Sequence, residues 1–257
     1  MTQSTASNPI ALITGGNRGL GKSTALHLAQ RGVDVILTYR SNPAEAQAVV
    51  GQIEALGGRA IALELDVGES ASFAAFAGNV KTALQQGWQR ERFDYLVNNA
   101  GVGLYAPFAD FTEDQFDTLM NVHLKGPFFL TQKLLPLLND GGRIVNISSG
   151  LTRFALPGYS AYATMKGGIE VLTRYLAKEL GARNIAVNTI APGAIETDFG
   201  GGRLRDNAAL NGFVASQTAL GRAGLPDDIG GAISALLHSD SRWVNAQRIE
   251  VSGGMFI

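Results

Sequence analysis

The stretch Ala11-Leu12-Ile13-Thr14-Gly15-Gly16-Asn17-Arg18-Gly19-Leu20-Gly21 decides how the chain reads. A short apolar run of strand composition passes without interruption into a turn of spaced glycines, and the residues after Gly19 return to helical spacing. A strand that feeds a helix through such a turn is the opening of a βαβ unit built to hold a dinucleotide. Gly15 permits the tight turn, Gly19 lets the main chain approach a pyrophosphate, and Gly21 lets helix and strand pack closely. The free N–H groups at the start of the helix attract the anion. Asn17, Arg18 and Leu20 lie in the same turn and are assigned to the same site.

Outward from this turn the chain alternates. Strand-like runs fall at Ala11 to Thr14, Val33 to Tyr39, Ala60 to Leu65, Tyr95 to Val97, Arg143 to Ile147, Ile185 to Ile190 and Arg248 to Val251. Helical periods fall at Gly19 to Arg31, Ala44 to Leu56, Ser70 to Gly87, Glu113 to Leu138, Ser160 to Leu180 and Asp227 to Leu237, the last opened by Pro226. Alternation of this kind predicts an α/β protein: one doubly wound, seven-stranded parallel sheet with helices on both faces. Residues 10–257 form that single domain, and residues 1–9 a flexible tail. Asp198 to Thr218, rich in Gly, Asn and Arg, reads as a long loop, either a lid or a surface excursion.

Composition narrows the function. The 257 residues are 46% hydrophobic and 17% charged with net charge −1, enough to bury one core and too neutral for a phosphate-backbone binder. Nucleic acid is therefore not expected as a partner. The absence of cysteine removes thiolate metal sites and cysteine nucleophiles, and His27, His123 and His238 are too scattered for a zinc set. No apolar run approaches the ~20 residues that span a bilayer, and Met1 to Pro9 has no basic leader, so no membrane association and a cytoplasmic location are expected.

The choice of dinucleotide turns on the end of the second strand. Asp34 has the spacing of an acid that clasps ribose hydroxyls, but it begins that strand, and six steps at ~3.3 Å put it about 20 Å from the ligand edge. At that edge stand Thr38-Tyr39-Arg40-Ser41, with Arg18 nearby, and no carboxylate to repel a 2′-phosphate. Arginine recognises phosphate with a charged two-pronged fork, so the cofactor is read as NADP(H).

Tyr162 and Lys166 stand at i and i+4 in a helical segment, which puts phenol and ammonium on one face. A neighbouring ammonium favours phenolate and is expected to lower the phenol pKa toward working pH, as an acid/base serving a carbonyl or alcohol requires. Ser148 and Ser149 end the fifth strand at the ligand edge, where a hydroxyl can donate to a substrate oxygen. No G-x-S-x-G elbow occurs, which argues against a serine hydrolase.

Together these residues resemble the short-chain dehydrogenase/reductase family from about Ile10 to the C-terminus, most closely its 3-oxoacyl carrier-protein reductase and sugar or alcohol dehydrogenase branch. The matching motifs, in order, are Thr14 to Gly21, Asp66-Val67, Asn98-Asn99-Ala100-Gly101, Ser149, Tyr162 with Lys166, and Pro192-Gly193 with Thr197. The resemblance implies a single Rossmann domain, usually a homotetramer. It implies that Asp66 and Val67 contact the adenine, that Asn99, Ala100 and Gly101 line the adenosine side, and that Pro192, Gly193, Ile195 and Thr197 hold the nicotinamide end. Ser149 would orient the substrate carbonyl, Tyr162 would exchange the proton, and Lys166 would bind the nicotinamide ribose, with Tyr162 also touching the cofactor.

One position departs from the family. Where its fourth catalytic residue is asparagine, Asn121-Val122-His123-Leu124-Lys125-Gly126 places His123. The family residue is thought to act through its main-chain carbonyl, and Pro127, lacking an N–H, would leave the His123 carbonyl free for the same water. Substitution of the His123 side chain should then be tolerated; the competing reading is that His123 is a packing residue and the relay is weakened. The expected activity is an NADPH-dependent carbonyl reductase or alcohol dehydrogenase acting on a small molecule, with Leu104, Tyr105, Phe154 and Leu156 shaping an apolar pocket. A non-catalytic NADP(H)-binding redox sensor is the second reading.

Overall fold

The structure, a computed structural model, describes residues 8–257. Residues 1–7 of the expected tail lie outside the described residues. Asn8 and Pro9 are tied down: the Asn8 amide donates to Asp34 Oδ1 at 3.3 Å, and the Asp34 N–H donates to the Pro9 carbonyl at 2.8 Å.

Seven strands form one sheet in the order β3-β2-β1-β4-β5-β6-β7. They are β1 (Ile10–Ile13), β2 (Asp34–Tyr39), β3 (Ala60–Glu64), β4 (Phe93–Asn98), β5 (Leu138–Ile147), β6 (Ala186–Pro192) and β7 (Arg248–Val251), and every neighbouring pair is parallel. All four residues of β1 are fully buried, because a sheet covered on both faces leaves its central strand no wet side. Alternate residues feed two cores. Ile10, Leu12, Ile36, Leu96 and Ile144 pack with Phe73, Val80 and Leu130 on one face, while Ala11, Ile13, Val35, Val97 and Val145 pack with Leu28, Ile53 and Ile233 on the other.

The second face carries α1 (Gly19–Ala29), α2 (Pro43–Ala55) and α9 (Pro226–Leu237); the first carries α3 (Phe73–Trp88), α5 (Gly126–Leu134) and α6 (Ser160–Glu179). α4 (Glu113–Met120) precedes α5, and α7 (Arg203–Asp206) and α8 (Ala208–Ser216) follow β6. After β1 the chain winds toward β3, and β4 then starts the other half on the opposite side of β1. The crevice beyond the carboxyl ends of β1 and β4 is the switch point at which such sheets bind ligands.

Two expectations need correction. The helix read over Glu113 to Leu138 is broken: α4 ends at Met120, a π-helical turn covers Asn121–Lys125, and α5 begins at Gly126. A Cβ on Gly126 would run into the Val67 carbonyl and stand 2.8 Å from the Asn121 carbonyl, and Pro127 cannot donate to the turn before it, so the helix changes register here. Asp198 to Thr218 is no irregular loop but a 3-10 turn (Phe199–Gly202) followed by α7 and α8. Gly200, Gly201 and Gly202, with φ of 62°, 76° and 75°, turn the chain in a region closed to most side chains, and the Asn207 side chain caps α8 at Leu210 N–H, 3.0 Å.

Asp34 is at the far edge from the crevice, 1% exposed, accepting from Trp88 Nε1 at 2.7 Å and from the Arg59 N–H at 3.0 Å. It is a structural carboxylate. Asp34→Ala should lower unfolding free energy by about 1–3 kcal/mol in a denaturant titration, because buried donors lose their acceptor, without moving the NADPH-to-NADH affinity ratio. Arg40→Asp, at the other end of β2, should leave stability nearly unchanged and narrow or invert that ratio, as read by cofactor fluorescence titration.

Candidate active site

The first and fourth strands are stitched together at the crevice. Thr14 Oγ1 accepts from the N–H groups of Asn99 and Ala100, each at 3.0 Å, and the Asn99 amide donates to the carbonyls of Thr14 (2.8 Å) and Gly15 (3.1 Å). Gly15, at φ 64°, donates its N–H to Thr38 Oγ1 at 3.1 Å. A Cβ on Gly21 would strike the Gly15 carbonyl and lie 2.6 Å from Asn99 Nδ2, so only glycine closes this junction. Arg18, the N-cap of α1, makes no side-chain capping bond, and the first turn of α1 holds no acid; its leading N–H groups are left for an anion. A cradle kept open by absent Cβ atoms and edged with free N–H donors fits a pyrophosphate.

The remaining expected cofactor residues stand around the same edge. Arg18, Arg40 and Ser41 are exposed, and Asp66, following β3, accepts from the Gly68 N–H at 2.8 Å. Val67 is buried and Gly101 lies against the His123 ring. Gly193 passes so close to Ser252 that a Cβ would stand 2.9 Å from its Cα, Ile195 pairs with Gly224, and the Thr197 methyl group faces Gly19 across the crevice. Asn17 brings in a residue that the sequence reading missed: its amide donates to Glu45 Oε2 at 2.9 Å. Glu45 lies in the first turn of α2, started by Pro43, and only the fold returns it to the glycine turn.

Ser149 follows β5 by two residues, and its hydroxyl stands beside Tyr162, where it pulls the phenol pKa down. Ser148 points away, its hydroxyl donating to Glu170 Oε1 at 2.7 Å, so the pair divides into one hydroxyl at the site and one in the support. Lys166 is buried; its Nζ donates to the Ile147 carbonyl at 2.7 Å and lies 5.5 Å from the Tyr162 ring centroid. Burial pushes the Tyr162 phenol above its ordinary range, opposed by the Ser149 hydroxyl, and pushes Lys166 down to about 7. The expected lowering of the phenol by Lys166 is not found: desolvation sets the direction and only Ser149 opposes it, the ammonium being spent on Ile147.

His123 is 1% exposed and packs edge-on against Tyr162 with ring centroids 5.1 Å apart. Its Nε2 lies 2.7 Å from the Val102 carbonyl and 3.2 Å from the Val102 N–H, while Nδ1 has no partner. The shorter bond assigns the proton to Nε2. Burial, reinforced by Lys166, lowers the imidazole to about 3, which keeps it neutral and removes it as a proton carrier near pH 7. The side chain therefore ties the loop after β4 to the helical turn, a role the sequence reading did not contain. The Gly126 N–H reaches back to the Asn121 carbonyl, and Pro127 has no N–H to give the carbonyl four residues back, that of His123, or the one before it.

Aromatic side chains wall the space beside Tyr162. Phe199, at the start of the segment read as a lid, lies 5.9 Å from the Tyr162 ring; Tyr105 meets Tyr159 edge-on at 5.4 Å; Arg203 of α7 sits 5.6 Å above Tyr105. Of the expected wall residues, Leu104 packs in the cluster containing Tyr162, Phe154 packs on Phe256 at 4.8 Å, and Leu156 is half-buried in the loop before α6.

A strand-turn-helix anion cradle beside a Ser–Tyr–Lys constellation defines an oxidoreductase that handles a nicotinamide dinucleotide. A family model described as enoyl-(acyl carrier protein) reductase matches residues 15–256. A hydroxynaphthalene reductase-like protein of Metarhizium brunneum is 34% identical over 257 residues, covering 95% of this chain and 94% of its own. Among solved structures, the promiscuous reductase LugOII, which catalyses keto-reduction at C1 during lugdunomycin biosynthesis, superposes with TM-score 0.93 at 36% identity, covering 99% of this chain and 100% of that one. The angucycline C-6 ketoreductase LanV with bound NADP gives TM-score 0.92 at 33% identity, covering 96% and 95%. The chain belongs to the short-chain dehydrogenase/reductase family.

Because the His123 imidazole is neutral, any kcat limb near pH 7 belongs to Lys166 and should be unchanged in His123→Asn. His123→Asn should keep most activity, whereas His123→Ala, which releases Val102, should lose about tenfold through misplacement of the loop. The unfolded chain takes up the His123 proton below 6.5 and the folded chain only near 3, so stability falls as pH drops through that window, and His123→Asn removes this share in pH-dependent denaturation.

Proposed function

We propose that this chain reduces the carbonyl of a ring-fused aromatic ketone to the secondary alcohol, and runs the reverse reaction when alcohol and oxidised cofactor are in excess. The chain is an NADP(H)-dependent oxidoreductase. When bound, the cofactor supplies or accepts a hydride at nicotinamide C4. Gly15, Gly19 and the start of α1 hold the pyrophosphate, Arg18 and Arg40 the 2′-phosphate, Asp66 and Val67 the adenine, and Ile195 and Thr197 the nicotinamide end.

The observation that carries the reaction type is the half-buried Tyr162, its phenol desolvated beside the Ser149 hydroxyl and its ring flanked by His123 and Lys166. Desolvation keeps the phenol protonated at neutral pH, so it stands as a proton donor, and two hydroxyls converge on the place where a carbonyl oxygen gains charge. In reduction the carbonyl carbon receives the hydride and its oxygen receives the Tyr162 proton. The phenolate left behind takes its proton back from solvent, with Lys166 held beside the ring on the Ile147 carbonyl. Such a donor pair suits a carbonyl oxygen better than an olefinic carbon, which favours ketone over enoyl reduction within the matched family. A redox sensor would need none of Ser149, Tyr162 and Lys166.

The substrate class is supported by the ring faces of Tyr105, Tyr159 and Phe199 around Tyr162, since flat aromatic substrates stack on such walls, and by relatives named for hydroxynaphthalene and angucycline ketoreduction. The chain works as a homotetramer in the cytoplasm: Phe128, Phe129 and Tyr175 on α5 and α6, and Trp243 and Ile257 near β7, leave two apolar regions exposed. Light scattering should give four times the chain mass; a single chain mass rejects the assembly. Tyr162→Phe should bind NADPH normally and lose about 10²–10⁴-fold in kcat, followed as loss of NADPH absorbance against a panel of aromatic ketones; near-normal turnover removes Tyr162 as the acid.

A further inference from the structure

Glu170 stands one helical turn beyond Lys166 and two beyond Tyr162, so α6 presents all three as one stripe to the end of β5. Each engages a different residue there. Lys166 Nζ donates to the Ile147 carbonyl at 2.7 Å, Tyr162 stands beside the Ser149 hydroxyl, and Glu170 takes the hydroxyl of Ser148 between them, at 2.7 Å.

A single oxygen of Glu170 serves three donors. Oε1 accepts from Ser148 Oγ at 2.7 Å, Thr152 Oγ1 at 2.7 Å and Arg248 Nε at 2.8 Å. Two of these donors also reach the Ser149 main chain: Thr152 Oγ1 lies 2.9 Å and Arg248 Nη2 3.4 Å from its carbonyl oxygen. Arg248 is itself anchored on Glu250 at 2.9 Å, and Arg153 holds Glu250 at 2.6 Å while its other bonds reach the Met255 and Phe256 carbonyls. The short turn over Gly150–Thr152 is therefore gripped from α6, from β7 and from the C-terminus at once. On the opposite side of Ser149 the hydroxyl accepts the Leu151 N–H at 3.2 Å, which fixes the direction of its remaining bonds.

We propose that Glu170 is a positioning residue for Ser149: through Ser148, Thr152 and Arg248 it holds the Ser148–Thr152 turn so that the Ser149 hydroxyl stays aimed at the substrate oxygen beside Tyr162. The proposal rests on the reading of Ser149 as the hydroxyl that binds that oxygen. Charge-assisted hydrogen bonds are short and directional, and three on one oxygen restrict the turn more than neutral contacts do. Loss of the carboxylate removes the one acceptor that Ser148, Thr152 and Arg248 share, and leaves Thr152 and Arg248 to the Ser149 carbonyl and Arg248 to Glu250. A catalytic group works within ~0.5 Å of its productive place, so a small relaxation of this turn is felt in turnover.

A double-mutant cycle tests this, with kcat, ketone KM and NADPH affinity measured for the wild type, Glu170→Gln, Ser149→Ala and the double variant on one aromatic ketone. The expected result is a loss of about tenfold in kcat for Glu170→Gln, with KM and NADPH affinity within about twofold, and less than about twofold further loss in the Ser149→Ala background. Equal losses in both backgrounds would make Glu170 a general structural residue and overturn the proposal, as would unchanged kcat in Glu170→Gln. Full turnover in Ser149→Ala would instead defeat the reading of Ser149, and the proposal with it. Should Glu170→Gln fold poorly, Thr152→Val, which cuts the strand of the network nearest Ser149, carries the same comparison.

Discussion

Asn99 and Thr14 hold the crevice on which every other feature of the site depends. At the switch point the sheet must let two strands part, and parted strands leave main-chain groups without ladder partners. The Asn99 amide takes the carbonyls of Thr14 and Gly15, and the Thr14 hydroxyl takes the N–H groups of Asn99 and Ala100, so these four main-chain groups are paired where the strands part. The same bonds fix the Gly15 carbonyl and the Asn99 amide, against which Gly21 packs without room for a Cβ, and so set the anion cradle. Chemistry then follows from position: β5 and β6 end at the same edge, and α6 crosses behind them carrying Tyr162 and Lys166.

Burial governs the electrostatics of that edge. Tyr162, Lys166 and His123 are enclosed together, and desolvation drives each toward its neutral form, the phenol upward and the two bases downward. A neutral phenol is a donor, a lysine near 7 can give up a proton, and a neutral imidazole is a fixed hydrogen-bonding strut. Charges sit one shell farther out, where Glu170, Arg248, Glu250 and Arg153 balance one another in ion pairs.

The sheet was legible because parallel strands buried on both faces are mostly apolar and rich in β-branched residues, as in Val35 to Leu37 and in Ile144, Val145 and Ile147. Leu138 was not, for Asn139-Asp140-Gly141-Gly142 reads as a turn, and those residues do loop out of register between the pairs Phe93–Leu138 and Tyr95–Arg143. The break in the helix after Met120 hides in a contact between Gly126 and the Val67 carbonyl, remote in sequence. Ser149, Tyr162 and Lys166 could be picked out by spacing and strand-end position, whereas Glu45, Glu170 and the His123–Val102 tie exist only through tertiary approach. Local spacing also suggested a lowered Tyr162 pKa, and the enclosure that reverses it is a property of the folded chain.

The central claim, that this edge of the sheet delivers hydride to a carbonyl carbon, is tested most directly by isotope transfer. The enzyme is given NADPH deuterated at both positions of nicotinamide C4 together with a ring-fused aromatic ketone, and the product is analysed by mass spectrometry and NMR. One deuterium on the carbinol carbon, with the hydroxyl proton drawn from solvent, is the predicted result. Product lacking the label, or bearing it on a former olefinic carbon with the carbonyl intact, would contradict the account.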